Sequence, residues 1–216
     1  PTAYPAIGKC CAGLIYYICK KLYVENAIAI SVVIPVLDEE KNVAALHAEI
    51  MEVCRREGYV CEVVFVDDGS HDNTLAQLKT LSPVRIISFR RNFGQTAAFD
   101  AGIKAAQYEF IITMDGDGQN DPADIPRLLA FLEERQLDVV SGWRRHRKDS
   151  FSKRFLSRGA NFLRHLMIND NIQDSGCSLK AYRSECFTDL NLYGEMHRFI
   201  PALLKIRGFR VGEIEV

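Results

Sequence analysis

Three apolar runs in this chain lead into acidic residues, and those carboxylates are the side chains with the clearest chemistry. Ile34 leads to Asp38 and Glu39, Val66 to Asp67 and Asp68, and Met114 to Asp115 and Asp117. Carboxylates accept hydrogen bonds from ribose hydroxyls and from the ring N–H of uracil or guanine, and they ligate hard cations. Several on one rim would repel one another unless a cation or ligand donors offset them, which argues for a metal. Asp115-Gly116-Asp117 reads as an extended segment, in which residues i and i+2 project their carboxylates to one side. Two oxygen ligands so placed suit Mg²⁺ or Mn²⁺ whose other ligands are phosphates, and Gly116 permits close approach of the backbone. By itself the triplet is weak evidence, because 14 aspartates among 216 residues make about one Asp-x-Asp expected by chance. Its position after an apolar strand, beside two other acidic strand ends, gives it weight. Asp67-Asp68-Gly69-Ser70 also has the makings of a turn with Ser70 as a helix N-cap, although two adjacent carboxylates exceed what one cap needs.

The elements that must position these groups alternate between short β-rich runs and amphipathic stretches. Residues 30–35 (ISVVIP), 62–66 (EVVFV), 84–88, 110–114 (FIITM) and 138–141 read as strands. Residues 39–57 carry Val43, Leu46, Ile50 and Val53 at three- and four-residue steps, the mark of one buried helix face. Further helices are expected around Leu75 and Leu78, over residues 94–107, and after Asp121-Pro122, where Asp caps and Pro takes the first helical position. Strands this apolar, separated by helices, imply an α/β fold with a mostly parallel central sheet covered on both faces. Such sheets bind ligands at the carboxyl ends of their strands, which is where the acidic residues fall.

Bulk properties are ordinary for a globular protein and fit one domain: 48% hydrophobic, 25% charged, formal net charge -1. That charge gives no support to nucleic acid as a partner. Seven cysteines (10, 11, 19, 54, 61, 177, 186) form no CxxC pair, and there is no Asn-x-Ser/Thr sequon. Both features favour small buried thiols in a reducing compartment. Residues 1–29 read as an N-terminal extension, whose apolar stretch 10–18 is too short to span a bilayer but could lie in a membrane interface. The chain stops at Val216 inside an expected strand, so its catalytic domain, residues 30–216, is expected to be incomplete at the C-terminal end.

From Arg144 to Arg164 the charge changes sign, with eight Arg and Lys interleaved with Phe151, Phe155, Phe162 and Leu166 on one helical face. A basic amphipathic helix suits an anionic membrane surface or a phosphate-bearing acceptor. The acceptor sets the mechanism. A lipid phosphate is already anionic and needs positioning by cations, whereas a hydroxyl needs a carboxylate to take its proton. Asp174 is the candidate for that base or for a group that orients the acceptor. His197 and Arg198 are candidates to hold acceptor or leaving-group phosphates.

Taken together, these residues resemble the inverting nucleotide-sugar glycosyltransferases of family 2 with the GT-A fold. Residues 32–40 (VVIPVLDEE), 66–70 (VDDGS), 90–97 (RRNFGQTA) and 114–122 (MDGDGQNDP) are similar to that family's nucleotide loops and metal motif, in the same order. Residues 174–183 (DSGCSLKAYR) and 194–201 (GEMHRFIP) are closest to the polyprenyl-phosphate branch, which includes dolichol-phosphate mannose synthases and undecaprenyl-phosphate sugar transferases. The resemblance implies that Pro35, Leu37, Glu39, Asp67, Asp68, Gly94 and Gln95 hold the nucleotide sugar. It further implies that Asp115, Asp117 and Gln119 surround a Mg²⁺ or Mn²⁺ and the diphosphate, and that Arg144, Lys153 and Ser157 contact phosphates. Asp117, Asp174 and Arg144 are then the residues expected to carry catalysis. Leu37 stands where relatives commonly have an aromatic residue.

The implied activity is transfer of a hexose, with inversion, from a GDP- or UDP-sugar to a polyprenyl phosphate at the cytoplasmic face of a membrane. A homo-oligomer is compatible with this reading. One rival keeps the fold and glycosylates a saccharide hydroxyl, but the chain lacks a Gln-x-x-Arg-Trp motif. A nucleotidyltransferase would carry an N-terminal loop rich in glycine and basic residues, unlike VIPVLDEE. An inactive nucleotide-sugar binding module is the third rival, and the intact Asp115 and Asp117 argue against it.

Overall fold

A computed structural model describes residues 27–144 and 172–216, and the elements below are numbered within them. The strands are β1 (Ala29–Val36), β2 (Val60–Asp67), β3 (Arg85–Ser88), β4 (Phe110–Thr113), β5 (Val139–Trp143), β6 (Lys180–Arg183) and β7 (Val211–Glu215). The helices are α1 (Val43–Glu57), α2 (Thr74–Leu78), α3 (Gln95–Ala105), α4 (Ile125–Glu134) and α5 (Ile200–Ile206). The expected interfacial segment near the N-terminus lies outside the described residues, as does the basic stretch beyond Arg144 with Lys153 and Ser157. No helix among the described residues is long and apolar enough to cross a membrane.

The seven strands form one sheet in the order β3-β2-β1-β4-β6-β5-β7. β1 pairs in parallel with β2 and β4, β2 with β3, and β5 with β7. Only β6 runs against its neighbours, antiparallel to both β4 and β5. Period-two alternation explains why the central strands look uniformly apolar. Val32 and Ile34 of β1 pack on one face with Leu46 and Ile50 of α1 and Leu128 of α4. Val33 packs on the other face with Phe99 and Ile103 of α3 and Leu204 of α5. Fully burying such a side chain contributes about 1.5–3 kcal/mol, so a strand buried on both faces is held from both sides. α3 lies closest to the sheet at Gly102, where a Cβ would come within 2.4 Å of Val33 Cγ1.

Two expectations need correction. Ser70 does not cap α2, which begins at Thr74 with Asn73 as its N-cap. The Ser70 hydroxyl instead accepts the Asp38 N–H at 3.0 Å, and Asp72 accepts the Thr74 N–H at 2.9 Å in its place. Asp115-Gly116-Asp117 is not extended: β4 ends at Thr113, and the chain bends before Gly118, whose φ is +74°. The Asp121 expectation holds, since its side chain accepts the Ala123 N–H at 2.8 Å and Pro122 opens a 3₁₀ turn that runs into α4. All four described cysteines are free thiols; Cys54, Cys177 and Cys186 are buried and Cys61 partly so.

Asp138, just before β5, accepts the Arg210 backbone N–H at 2.7 Å and its guanidinium at 3.1 Å, tying the entry of β5 to that of β7. Burial works to raise the Asp138 pKa, but the bonds from Arg210 outweigh it and hold the carboxyl below its ordinary value. The folded value therefore lies below the unfolded one. The resulting stabilisation is complete above about pH 4 and is lost as pH falls through the folded value. Asp138→Asn should flatten the fall in stability below about pH 4, measured by urea unfolding at each pH. Gly69 has a φ of +78°, and a Cβ there would meet the Arg91 carbonyl carbon at 2.5 Å. Gly69→Ala should cost about 2 kcal/mol or more and lower Tm by several degrees in a thermal melt.

Candidate functional site

The parallel strands β1 to β4 all end at one rim, and the loops that follow them enclose a cleft with a volume of about 300 Å³. Pro35, Val36, Leu37 and Glu39 line it from β1, Asp68 from β2, Asn92, Gly94 and Gln95 from β3 and α3, and Asp115, Gly116 and Asp117 from β4. The antiparallel run of β6 brings its entry, residues 174–180, to the same end as the exits of β4 and β5. Seven of the residues expected to hold the nucleotide sugar or metal therefore meet with Asp117 in one cavity.

The loops are fastened to one another before any ligand arrives. Asp38, in the left-handed region at φ 56°, accepts the His71 N–H at 2.7 Å, while the Glu39 N–H donates to Thr74 Oγ1 at 2.8 Å. Asp68 is 4% exposed and accepts the Phe93 and Gly94 N–H groups at 2.7 and 2.9 Å. Those amides lie just before α3, so Asp68 ties the chain that enters the helix to the end of β2. Asp67 does not line the cleft. It is 1% exposed, accepts the Ser70 N–H at 3.0 Å and the Ser88 hydroxyl at 2.9 Å, and thereby braces the loop after β2 from beneath.

On the β4 side, Asp115 is half-buried and accepts the Gln95 side-chain amide at 2.7 Å. Asp117 is exposed and accepts the backbone N–H of Gln119 at 3.0 Å. Gln119 is exposed and does not line the cleft. No group of three metal-ligating His, Cys, Asp or Glu side chains exists among the described residues. Asp115 and Asp117 nevertheless present carboxylate oxygens to one cavity with room beside them, the donor set that a hard cation shares with a diphosphate.

At the far end of the rim Arg144 follows β5 and pairs with Asp174 at 3.0 Å, both side chains being largely buried. A second contact, from the Arg144 Nη2 to Asp174 Oδ1 at 3.4 Å, makes the pair two-pronged. Burial disfavours the Arg144 charge, but the Asp174 hydrogen bond more than compensates and raises its pKa. Asp174 Oδ1 also accepts the Gly176 N–H at 3.2 Å, and Glu213 of β7 accepts the Asp174 N–H at 2.9 Å.

His197 packs its ring on Phe99 of α3, with centroids 6.1 Å apart, and its Nδ1 lies 2.5 Å from Thr96 Oγ1. Burial first, then the Arg198 charge, lowers its pKa, so the ring is neutral at neutral pH. It can meet a phosphate only as a hydrogen-bonding group. Arg198 is exposed and pairs with Glu195 at 3.6 Å.

Sequence reasoning missed Val36 and Asn92 in the cleft wall, although the strand-end rule that found Leu37 and Asp68 covers both positions. It also missed Ser178, Lys180, Thr96 and Glu213. The first two lie in the 174–183 stretch singled out for its likeness, but a serine and a lysine leading into an apolar run carry no signal of their contacts.

Comparison with known proteins follows these contours. The chain is 41% identical over 199 residues to a dodecaprenyl-phosphate galacturonate synthase from Rhizobium johnstonii, covering 88% of this chain and 59% of that protein. It is 36% identical over 192 residues to an undecaprenyl-phosphate 4-deoxy-4-formamido-L-arabinose transferase from Proteus mirabilis, covering 87% and 59%. The chain thus spans about three fifths of the length of these curated relatives. Among solved structures, mannosyl-3-phosphoglycerate synthase from Rubrobacter xylanophilus superposes with a TM-score of 0.72 at 13% identity, covering 92% of this chain and 68% of that one. Glucosyl-3-phosphoglycerate synthase from Mycobacterium tuberculosis, solved with Mn²⁺, UDP-glucose and phosphoglyceric acid, gives 0.70 at 17%, covering 99% and 75%. These likenesses establish the GT-A fold. The model of the glycosyl transferase family 2 matches residues 31–190, from β1 past β6, and the chain belongs to that family.

Proposed function

We propose that this chain is the catalytic domain of an inverting glycosyltransferase that moves a hexose from a GDP- or UDP-sugar to a polyprenyl phosphate. The observation that carries the proposal is the convergence of Glu39, Asp68, Asp115 and Asp117, from three different strand ends, on one cleft. The names of the relatives support the acceptor, since a dodecaprenyl phosphate appears in one and an undecaprenyl phosphate in the other. A relative in fold solved with Mn²⁺ and UDP-glucose supports the donor and the cation.

Pro35, Leu37 and Glu39 face the nucleoside in this reading, with Asp68 behind them holding the α3 amides in place. Asp115 and Asp117 would hold a Mg²⁺ or Mn²⁺, which when bound offsets charge on the departing nucleoside diphosphate. Gln95 fixes the orientation of Asp115. Arg144 is the cation for the acceptor phosphate, and Asp174 holds its guanidinium plane rather than acting as a base. Both Asp174 oxygens already accept hydrogen bonds. An acceptor that arrives as an anion needs no base, so this arrangement favours a lipid phosphate over a saccharide hydroxyl. Neutral His197, stacked on Phe99 of α3, and Arg198 complete the acceptor side. A lipid acceptor would put the reaction at a membrane surface, read here as the cytoplasmic face.

Thermal stability against UDP-, GDP- and CDP-sugars should rise with one nucleotide class, and only with Mn²⁺ or Mg²⁺ present. A folded sample unmoved by every pair would leave the donor proposal without a ligand. Asp117→Asn should cut turnover by at least about a hundredfold, the scale of lost electrostatic stabilisation; near-normal rates would dispose of the metal assignment. Arg144→Lys keeps the charge and loses the two-pronged contact, so it should weaken use of a short polyprenyl phosphate about tenfold or more while sparing donor binding.

A further inference from the structure

The loop that carries Asp117 starts and finishes on one hydroxyl. Ser178 Oγ accepts the Asp115 N–H at 3.1 Å and the Asn120 side-chain amide at 2.8 Å, so residues 115–120 close on it from both ends. Ser178 is 8% exposed and Asn120 7%, so neither bond is loosened by competing water. The serine is itself fixed, because its carbonyl accepts the Thr113 hydroxyl at 2.7 Å across the β4–β6 pair. One residue on, the Leu179 carbonyl accepts the Gly142 N–H at 2.9 Å. Lys180, 3% exposed, donates its ammonium to the Cys177 carbonyl and so pins the turn that leads back to Asp174.

We propose that Ser178 is a positioning residue that clamps the Asp115–Asn120 loop and sets the spacing of the two carboxylates that receive the cation. The inference rests on the donor-side reading above. Ser178 touches neither substrate in that reading. It acts through the backbone of Asp115 and the side chain of Asn120, and Asp117 itself is exposed, its one hydrogen bond among the described residues being from the Gln119 N–H. Groups that orient metal ligands typically contribute about ten- to a hundredfold in metal affinity.

The test is Mn²⁺ titration of the purified protein in the presence of UDP or GDP, followed by calorimetry, for wild type, Ser178→Ala, Asn120→Ala and the double variant. Ser178→Ala should remain cooperatively folded and weaken Mn²⁺ binding about tenfold or more. Asn120→Ala should weaken it less, and the double variant should be no worse than Ser178→Ala, because both act through one clamp. Ser178→Thr, which retains the hydroxyl, should recover most of the loss. Affinity within about twofold of wild type in folded Ser178→Ala, or additive losses in the double variant, would overturn the clamp. A wild-type protein that binds neither nucleotide with Mn²⁺ overturns the donor reading itself and the clamp with it.

Discussion

Asp67 and Asp68 follow one another at the end of β2 with almost no exposure to water, so each must find hydrogen-bond donors inside the protein. The donors they find lie in three different segments: the turn at Ser70, the end of β3 at Ser88, and the first amides before α3. Meeting that requirement draws the loops after β2 and β3 together and aims the N-terminus of α3 across the rim. Gln95, the first residue of α3, is thereby delivered to Asp115, and the cleft acquires its far wall. Pairing of β1 with both β2 and β4 brings the remaining carboxylates to the same edge.

Much of this was legible from residue types alone. Short apolar runs alternating with amphipathic stretches, Pro35 at a strand end and Asp121-Pro122 at a helix start are local signals, and the elements they announce are present. The cleft was legible because parallel strands separated by helices leave only one rim for their acidic exits. Contacts between residues distant in the chain were not. Ser70 looks like a cap in its own segment, yet its hydroxyl serves Asp38 across the rim, and no periodicity records that. β6 is four residues long and reversed between two strands, so no pattern of strand and helix identifies its direction. Asp67 and Asp68 look alike in sequence and differ in the structure because the pleat turns one beneath the loop and the other toward the cleft.

Electrostatics divide the rim into two unlike ends. Toward β1 and β4 the carboxylates are arranged around open space and await positive charge. Toward β5 and β6 the charges are already matched: Arg144 with Asp174, and Lys180 buried close to both, its pKa lowered first by desolvation. The acidic end thus has unoffset charge facing open space, while at the basic end Arg144 is already held by Asp174.

The reversed strand also makes the rim sensitive to counting. Lys180 stands opposite Thr113 on one side and Ser141 on the other, which fixes β6 to both neighbours at once. A slip of one residue would turn Ala181 and Tyr182 out of the cores they fill and would carry Ser178 away from the Asp115 loop. Insertions between Asp174 and Lys180 should thus be rejected. The short stretch before β6 behaves as a gauge block: its length, together with the hydroxyl at Ser178, sets where the Asp115 loop stands relative to Asp174.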